Sequence, residues 1–458
     1  MKIKVDIDFG KYVQTIKSTV ESDPWTFLFL SFIFATHMIQ ISFPSDGSMI
    51  FDEAHYIPAT LATLNGVAAN MEHPPLAKLI SALGIALLGN NWFGWRFPQV
   101  LMQIGALYLF YLISKRFLGK YYGLGATMLL GLDTIFFIHG GALLIDMASF
   151  LFCFLAYELY FRRHYYLSAS SMALAFLSRE MSLFYFFPLA FYHLASNWKN
   201  KENTKSKENR QRRQALKLGA KYVALCLIIF LGSLWFYDLA YQPAISTNVT
   251  NYVNANVVVN ATGTPITTIY STVQSTSKEI MWEPLQNLAF IWNYHGPSGM
   301  NFPNRVNAPY DYAWNWILPI ESFTTPTYYR VDVSISSGEV VKHYTPIWYN
   351  AQPNLALWYA IWPAMIGLFY ALIKKKERLS ASFFGLGILS NYAPWIALSI
   401  LFNRIGFNYY FIWTLPFIAL SIAFTWKQCG NWGKWLMAWN LLFALIFFLI
   451  FFPVRPMP

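Results

Sequence analysis

Long apolar runs recur along the whole chain, most of them about 16 to 22 residues, the length that crosses a hydrocarbon core roughly 30 Å thick. They fall near 25–44, 94–113, 121–138, 141–161, 165–178, 181–196, 221–241, 354–373, 380–401, 408–426 and 435–453. Only 12% of the 458 residues are charged and 56% are apolar, where soluble domains carry about twice that charged fraction. The pattern predicts an all-α polytopic membrane protein of about eleven transmembrane helices rather than a string of soluble domains.

The net charge of +11 reads as a topology signal, not as a nucleic-acid surface. Alternate connections carry Lys2, Lys4, Lys11 and Lys17; Lys115, Arg116 and Lys120; Arg162 and Arg163; the run from Lys199 to Lys221; Lys374, Lys375, Lys376 and Arg378; and Lys427 and Lys434. These make 24 of the 33 basic residues, so the positive-inside rule predicts a cytoplasmic N-terminus and an external C-terminus. The first span, after about 24 polar residues and with no small-residue cleavage site, is expected to be an uncleaved anchor. Cys153, Cys226 and Cys429 lie in or beside spans and outline no disulfide framework.

Three parts follow: an N-terminal membrane part over 1–241 with a first external loop at 45–93, an external segment over 242–353, and a C-terminal membrane part over 354–458. Residues 243–277 are rich in Thr, Val, Asn and Ser and include the acceptor patterns at Asn248 and Asn260. The Trp-, Tyr- and Pro-rich remainder suits amphipathic helices lying at the headgroup level. The charged connector "NWKNKENTKSKENRQRRQALK" reads as an attraction to anionic lipid headgroups.

Ionisable groups near spans are candidate functional residues, because a central Asp, Lys or Arg costs about 2.5–3.5 kcal/mol to insert. Asp52 and Glu53, with His55, form an adjacent carboxylate pair, open to two readings: one raised-pKa carboxyl acting as a base, or acids in the first turn of a helix. In "MEHPPLAKL", two prolines hold Glu72 and His73 at a rigid corner near Lys78, fit for a divalent metal, for an acceptor hydroxyl, or for a plain interfacial turn. Arg96 in "WFGWRFP" suits a lipid phosphate or a snorkelling anchor. Asp133, His139 and Asp146 flank one external turn and should face a polar cavity or a basic partner, while Arg179-Glu180 reads as a further charge pair. Arg404, followed by Tyr409-Tyr410-Phe411, runs against the charge bias and needs an anionic partner or anchors an aromatic belt.

In this order, the clusters resemble the protein O-mannosyltransferase family of GT-C membrane glycosyltransferases, whose wider kin include the aminoarabinose transferases of lipid A. The acidic pair at 52–53, "HPPLAK", "LGLDTIFFIHGGALLIDM", "YDYAWNWILPI" and "NYAPW…R…FNYYF…LP" carry the resemblance. Ala77 stands where the family usually has Gly, Gly140-Gly141 where it often has polar or Arg residues, and 311–316 lacks a Ser. An external segment of about 110 residues leaves no room for the eukaryotic β-trefoil insertion, which points to a prokaryotic member, and its Asn/Thr/Val-rich stretch to an archaeal one.

The resemblance implies a GT-C fold and transfer of a hexose, mannose first, from a polyprenyl (dolichyl) phosphate sugar to a hydroxyl on the external face of the cell membrane. Asp52 would be the base, with Glu53 positioning it. Arg96 and Arg404, with Lys78, would hold the donor phosphate. His55, His73, Asp133 and Asp146 would support the acceptor, and Glu72 with His295 would hold a divalent ion. The acceptor is Ser or Thr of a protein, or in the alternative a lipid or an N-glycan. A secondary transporter and an envelope scaffold are the readings from other classes; the carboxylate pair outside the first span and the lack of repeats weigh against the transporter.

Overall fold

The computed structural model describes residues 20–198, 205–243, 255–259, 265–270, 285–295, 310–317, 329–336, 339–346 and 354–452. Asn248 and Asn260, with most of 242–353, lie outside them. Every expected apolar run is helical. The first half gives α1 (Pro24–Gln40), α2 (Glu53–Leu64), α3 (Leu76–Leu88), α4 (Trp92–Leu118), α5 (Lys120–Gly131), α6 (Thr134–Gly141), α7 (Asp146–Phe161), α8 (Tyr165–Ser178), α9 (Leu183–Trp198) and α10 (Lys205–Ala240). After α11 (Gln286–His295) the second half gives α12 (Leu355–Trp358), α13 (Ile361–Ile373), α14 (Arg378–Phe402), α15 (Leu415–Gln428) and α16 (Asn431–Ile450).

Five helical segments among the described residues are long and apolar enough to cross a membrane, and α5 with α6, bent by 67°, makes a sixth. The bend has a local cause. Asp133 caps α6, its Oδ1 accepting from the backbone N–H groups of Ile135 and Phe136 at 3.0 and 3.1 Å, so a new helix starts where the old one stops. The protein is a multi-pass helical membrane protein, and strands among the described residues are confined to short ladders and hairpins.

The two membrane parts interlock. Asp133 Oδ2 accepts from Asn354 N and Trp358 Nε1, both at 3.3 Å, while Asn354 Nδ2 donates to Leu132 O and Ala444 O at 2.8 and 2.9 Å. Burial makes each of these bonds costly to break, because water cannot replace a lost partner. Further in, Gly140 and Gly141 lie flat against glutamine side chains: a Cβ on Gly140 would sit 1.4 Å from Gln103 Oε1, and one on Gly141 2.0 Å from Gln40 Oε1. The departure of these two positions from the family pattern is therefore a packing requirement.

The segment 45–93 docks on the bundle through α3, where Gln99 Nε2 of α4 donates to Ser81 Oγ at 2.9 Å. A two-residue strand β1 (Met49–Ile50) pairs antiparallel with Tyr329–Ser336 from the 242–353 segment, and Tyr310–Asp311 pairs with Gly406–Phe407. These ladders bring residues of the 242–353 segment to the end of the bundle that carries Asp52.

Candidate active site

Asp52 and Glu53 open α2 but face different surroundings. Phe51 ahead of them has φ +52°, a left-handed conformation costly for an aromatic residue, and it turns the chain from β1 into the helix. Its ring meets those of Phe407 and Tyr409 edge-on at 5.8 and 5.4 Å. Glu53 points inward and is fully buried. Its two oxygens accept from Arg96 Nε at 2.9 Å and Nη2 at 2.8 Å, and also from the N–H groups of Leu143 (2.9 Å) and Ile50 (2.8 Å).

Arg96 has no donor left for a phosphate. Its remaining N–H groups go to the carbonyls of Ile41 (3.1 Å), Pro44 (2.8 Å) and Ser48 (3.3 Å), so all five donors of the guanidinium are taken by protein. The expectation that it holds the donor is corrected: it is the clamp beneath the acidic pair. Lys78 is corrected likewise. It is buried, and its ammonium donates to the carbonyls of Ala69 (3.2 Å), His73 (3.0 Å) and Asn70, bracing the His-Pro-Pro corner from inside. Burial pushes its pKa down to about 8, against the pull of Glu72 and Glu180.

Asp52 is half-buried, and Tyr409 Oη donates to its Oδ2 at 3.4 Å. Among the described residues no cation forms an ion pair with it. Burial raises its carboxyl above the ordinary range, opposed at longer reach by His55, Arg179, His73 and His139. His55 itself is exposed on α2.

Facing Asp52 is a connected chain of charges. His139 Nδ1 lies 2.8 Å from Asp146 Oδ2, and Asp146 Oδ1 lies 3.5 Å from Arg179 Nη1. Arg179 donates to Tyr56 Oη at 3.4 Å and places Nε 3.3 Å from Glu180 Oε1. Glu180 then meets His73 Nδ1 at 3.1 Å and His295 Nε2 at 3.3 Å. Arg404 closes the series, donating to His295 O at 2.7 Å with its guanidinium 5.9 Å from the centre of the Trp395 ring. Burial works to raise the Glu180 carboxyl, but His295, His73 and Arg179 hold it well below the usual range. Burial lowers His295 to about 3, against the pull of Glu180.

His73, Glu180 and His295 place one ligand atom each within 4.8 Å of one another. Two imidazoles and a carboxylate are a fitting donor set for a divalent ion. The expected pair of Glu72 and His295 is corrected here: the Glu72 carboxylate accepts from Asn70 Nδ2 at 2.6 Å, and only its backbone carbonyl reaches His295, at 3.2 Å. Asp133 is corrected too, since it caps α6 and ties α12 and takes no part in the charge chain. Arg179 and Glu180 are the residues that sequence reasoning undervalued; adjacent in the chain, they read as self-neutralising. Tyr56 carries no charge to single it out, and Tyr409 reads only as part of an aromatic belt.

Residues 72–235 match the family model described as dolichyl-phosphate-mannose-protein mannosyltransferase. This segment is similar to that family. Over 108 residues the chain is 36% identical to a polyprenol-phosphate-mannose--protein mannosyltransferase of Mycobacterium tuberculosis, covering 22% of this chain and 21% of the relative. A protein of the same description from Mycolicibacterium smegmatis is 30% identical over 131 residues, 27% of this chain and 25% of the relative. The alignments thus span about a quarter or less of these relatives' length.

Among solved structures, the Saccharomyces cerevisiae protein O-mannosyltransferase Pmt1-Pmt2 complex bound to the sugar donor matches with a TM-score of 0.62 at 12% identity, over 93% of this chain and 90% of that one. ArnT from Cupriavidus metallidurans bound to undecaprenyl phosphate matches with a TM-score of 0.52 at 12% identity, over 90% of this chain and 62% of that one. At these identities the likeness establishes the fold, which is the GT-C membrane fold.

Proposed function

We propose that the protein is an inverting glycosyltransferase that moves a hexose, mannose first, from a polyprenyl phosphate sugar to a Ser or Thr hydroxyl of a protein at the external membrane face. The observation that carries the reading is the contrast among four neighbouring carboxylates. Glu53, Asp146 and Glu180 each have an arginine or histidine partner within 3.5 Å, whereas Asp52 has only the Tyr409 hydroxyl. A carboxylate held by cations is a poor base; one that is partly desolvated and open has a raised affinity for a proton.

In this reading the acceptor oxygen attacks the anomeric carbon as Asp52 takes its proton, and the bond to the phosphate oxygen breaks with inversion. Polyprenyl phosphate leaves as an anion, so it needs positive charge more than a general acid. Arg404 and Arg179 supply that charge; Arg179 replaces Arg96 in the role. The divalent ion expected for this site would sit between His73, Glu180 and His295, fixing α11 over the His-Pro-Pro corner. The protein mannosyltransferases among the relatives support a protein hydroxyl over a lipid or N-glycan acceptor.

The test is incubation of purified protein with radiolabelled polyprenyl-phosphate sugars and with Ser/Thr peptides, glycans or lipid acceptors. Label should pass from polyprenyl phosphate mannose to peptide. Absence of transfer from every donor sinks the proposal; transfer only to lipid or glycan overturns the acceptor.

A further inference from the structure

α11 begins where its own sequence offers no side-chain cap. Leu285 precedes its first turn with φ +72°, and the Leu285 carbonyl accepts from the N–H of Leu288 at 3.0 Å. A leucine side chain has no oxygen for the other N–H groups that a helix start leaves without intrahelical partners. The acceptor comes from α10. Asp238, 49 residues before Asn287, is fully buried, and its Oδ2 accepts from Asn287 N at 3.2 Å. Its Oδ1 accepts from Asn287 Nδ2, and the N–H groups of Leu285 and Gln286 also bond to the carboxylate.

The place of Asp238 in α10 disfavours a carboxylate. It lies in the last turn, at the partly negative end of the helix, and burial adds a desolvation cost. The N-terminus of α11, where an anion is favoured, offsets both. From there α11 runs 10 residues, about 15 Å. Its Phe290 packs against the cluster of Ala68, Met71 and Tyr237, the last of these next to Asp238. At its far end the His295 ring meets Glu180 at 3.3 Å, and the His295 carbonyl, at the partly negative end of α11, accepts from Arg404 at 2.7 Å. One short helix therefore joins Asp238 to two members of the charge chain.

We propose that Asp238 is a positioning residue for the candidate active site: it fixes the start of α11 on the end of α10, and α11 sets His295 against Glu180 and Arg404 against the His295 carbonyl. Asp238 acts through α11 and touches none of the reacting groups. The kinetic part of the proposal rests on the transferase reading, whereas the anchoring of α11 does not.

The test combines amide hydrogen exchange with kinetics on the purified full chain. In Asp238→Ala, exchange over 286–295 should rise about tenfold or more, the size expected for losing hydrogen bonds to a charged group, while α4 and α7 keep their wild-type rates. Transfer of mannose from polyprenyl phosphate mannose to a Ser/Thr peptide should lose about tenfold in kcat with the KM for peptide unchanged. The exchange of partners in Asp238→Asn with Asn287→Asp keeps one carboxylate and one amide at the junction and should restore both readouts. In an Arg404→Gln background Asp238→Ala should cost less than it does alone, because the two losses share one route. Unchanged exchange over 286–295, a rise spread over every helix, an unchanged kcat, or fully additive losses overturns the proposal. If Asp238→Ala does not fold, Asn287→Ala, which removes one donor and leaves the acid, takes its place. A wild-type chain that transfers nothing sinks the transferase reading, and exchange over 286–295 then decides the anchoring alone.

Discussion

Arg96 donates to both carboxylate oxygens of Glu53, at 2.9 and 2.8 Å, one residue away from the carboxylate that stays open. Glu53→Gln or Arg96→Leu leaves a buried charge unpaired, a change that costs about 3–5 kcal/mol. Both variants should show a large fall in Tm, with lost activity following lost fold. Asp52→Asn should instead keep its fold and its donor affinity and lose turnover by about 10²–10⁴-fold. Full activity in Asp52→Asn removes Asp52 as the base.

The raised carboxyl of Asp52 has two consequences with opposite readouts. The acid limb of kcat/KM should lie above the ordinary Asp value of about 3.9, and His55→Gln, by removing a cation that favours the ionised form, should move the limb to higher pH. For stability the sign reverses: the folded pKa lies above the unfolded one, so ionised Asp52 opposes folding once the pH exceeds both. Asp52→Asn should therefore raise Tm more at pH 7 than at pH 4. A limb unmoved in His55→Gln, or a Tm gain independent of pH, argues against this assignment.

If Arg179 and Arg404 stabilise the leaving phosphate, Arg404→Gln should lower kcat about 10²–10³-fold, the size expected for one charge-stabilising donor group. Lys78→Met should leave the affinity for polyprenyl phosphate unchanged while lowering Tm, because its three contacts are to backbone. The two variants separate the roles by donor binding measured beside thermal denaturation.

Metal analysis of the purified protein should find a divalent ion that a strong chelator removes with a fall in Tm. His295→Ala and Glu180→Gln should each abolish its retention, and Glu72→Gln should not. Retention in His295→Ala would show that the ion sits elsewhere.

The helices were legible because insertion energetics writes itself locally: an apolar run flanked by alternating basic connectors needs no knowledge of the rest of the chain. The same local logic misplaced Arg96 and Lys78. Each looks like an external cation available to a ligand, and each has its partners elsewhere, Glu53 being 43 residues before Arg96 and the carbonyls of 69–73 lying just ahead of Lys78. Glu180 shows the converse. It looked neutralised by its neighbour, yet it meets His73 across 107 residues, and His295 from beyond the seventh expected span. Only the distinction between paired and open carboxylates separates Asp52 from Glu53, and pairing is a property of the fold.

The flat seating of Gly140 and Gly141 against Gln103 and Gln40 has a meaning for descent. A side chain at either glycine cannot be accepted while its glutamine remains, and shortening the glutamine alone leaves a void beside the glycine. Each pair is thus inherited as a unit: homologues bearing a larger residue at the first glycine should carry a smaller one opposite, and a chimera that exchanges only one member should fail where exchange of both succeeds.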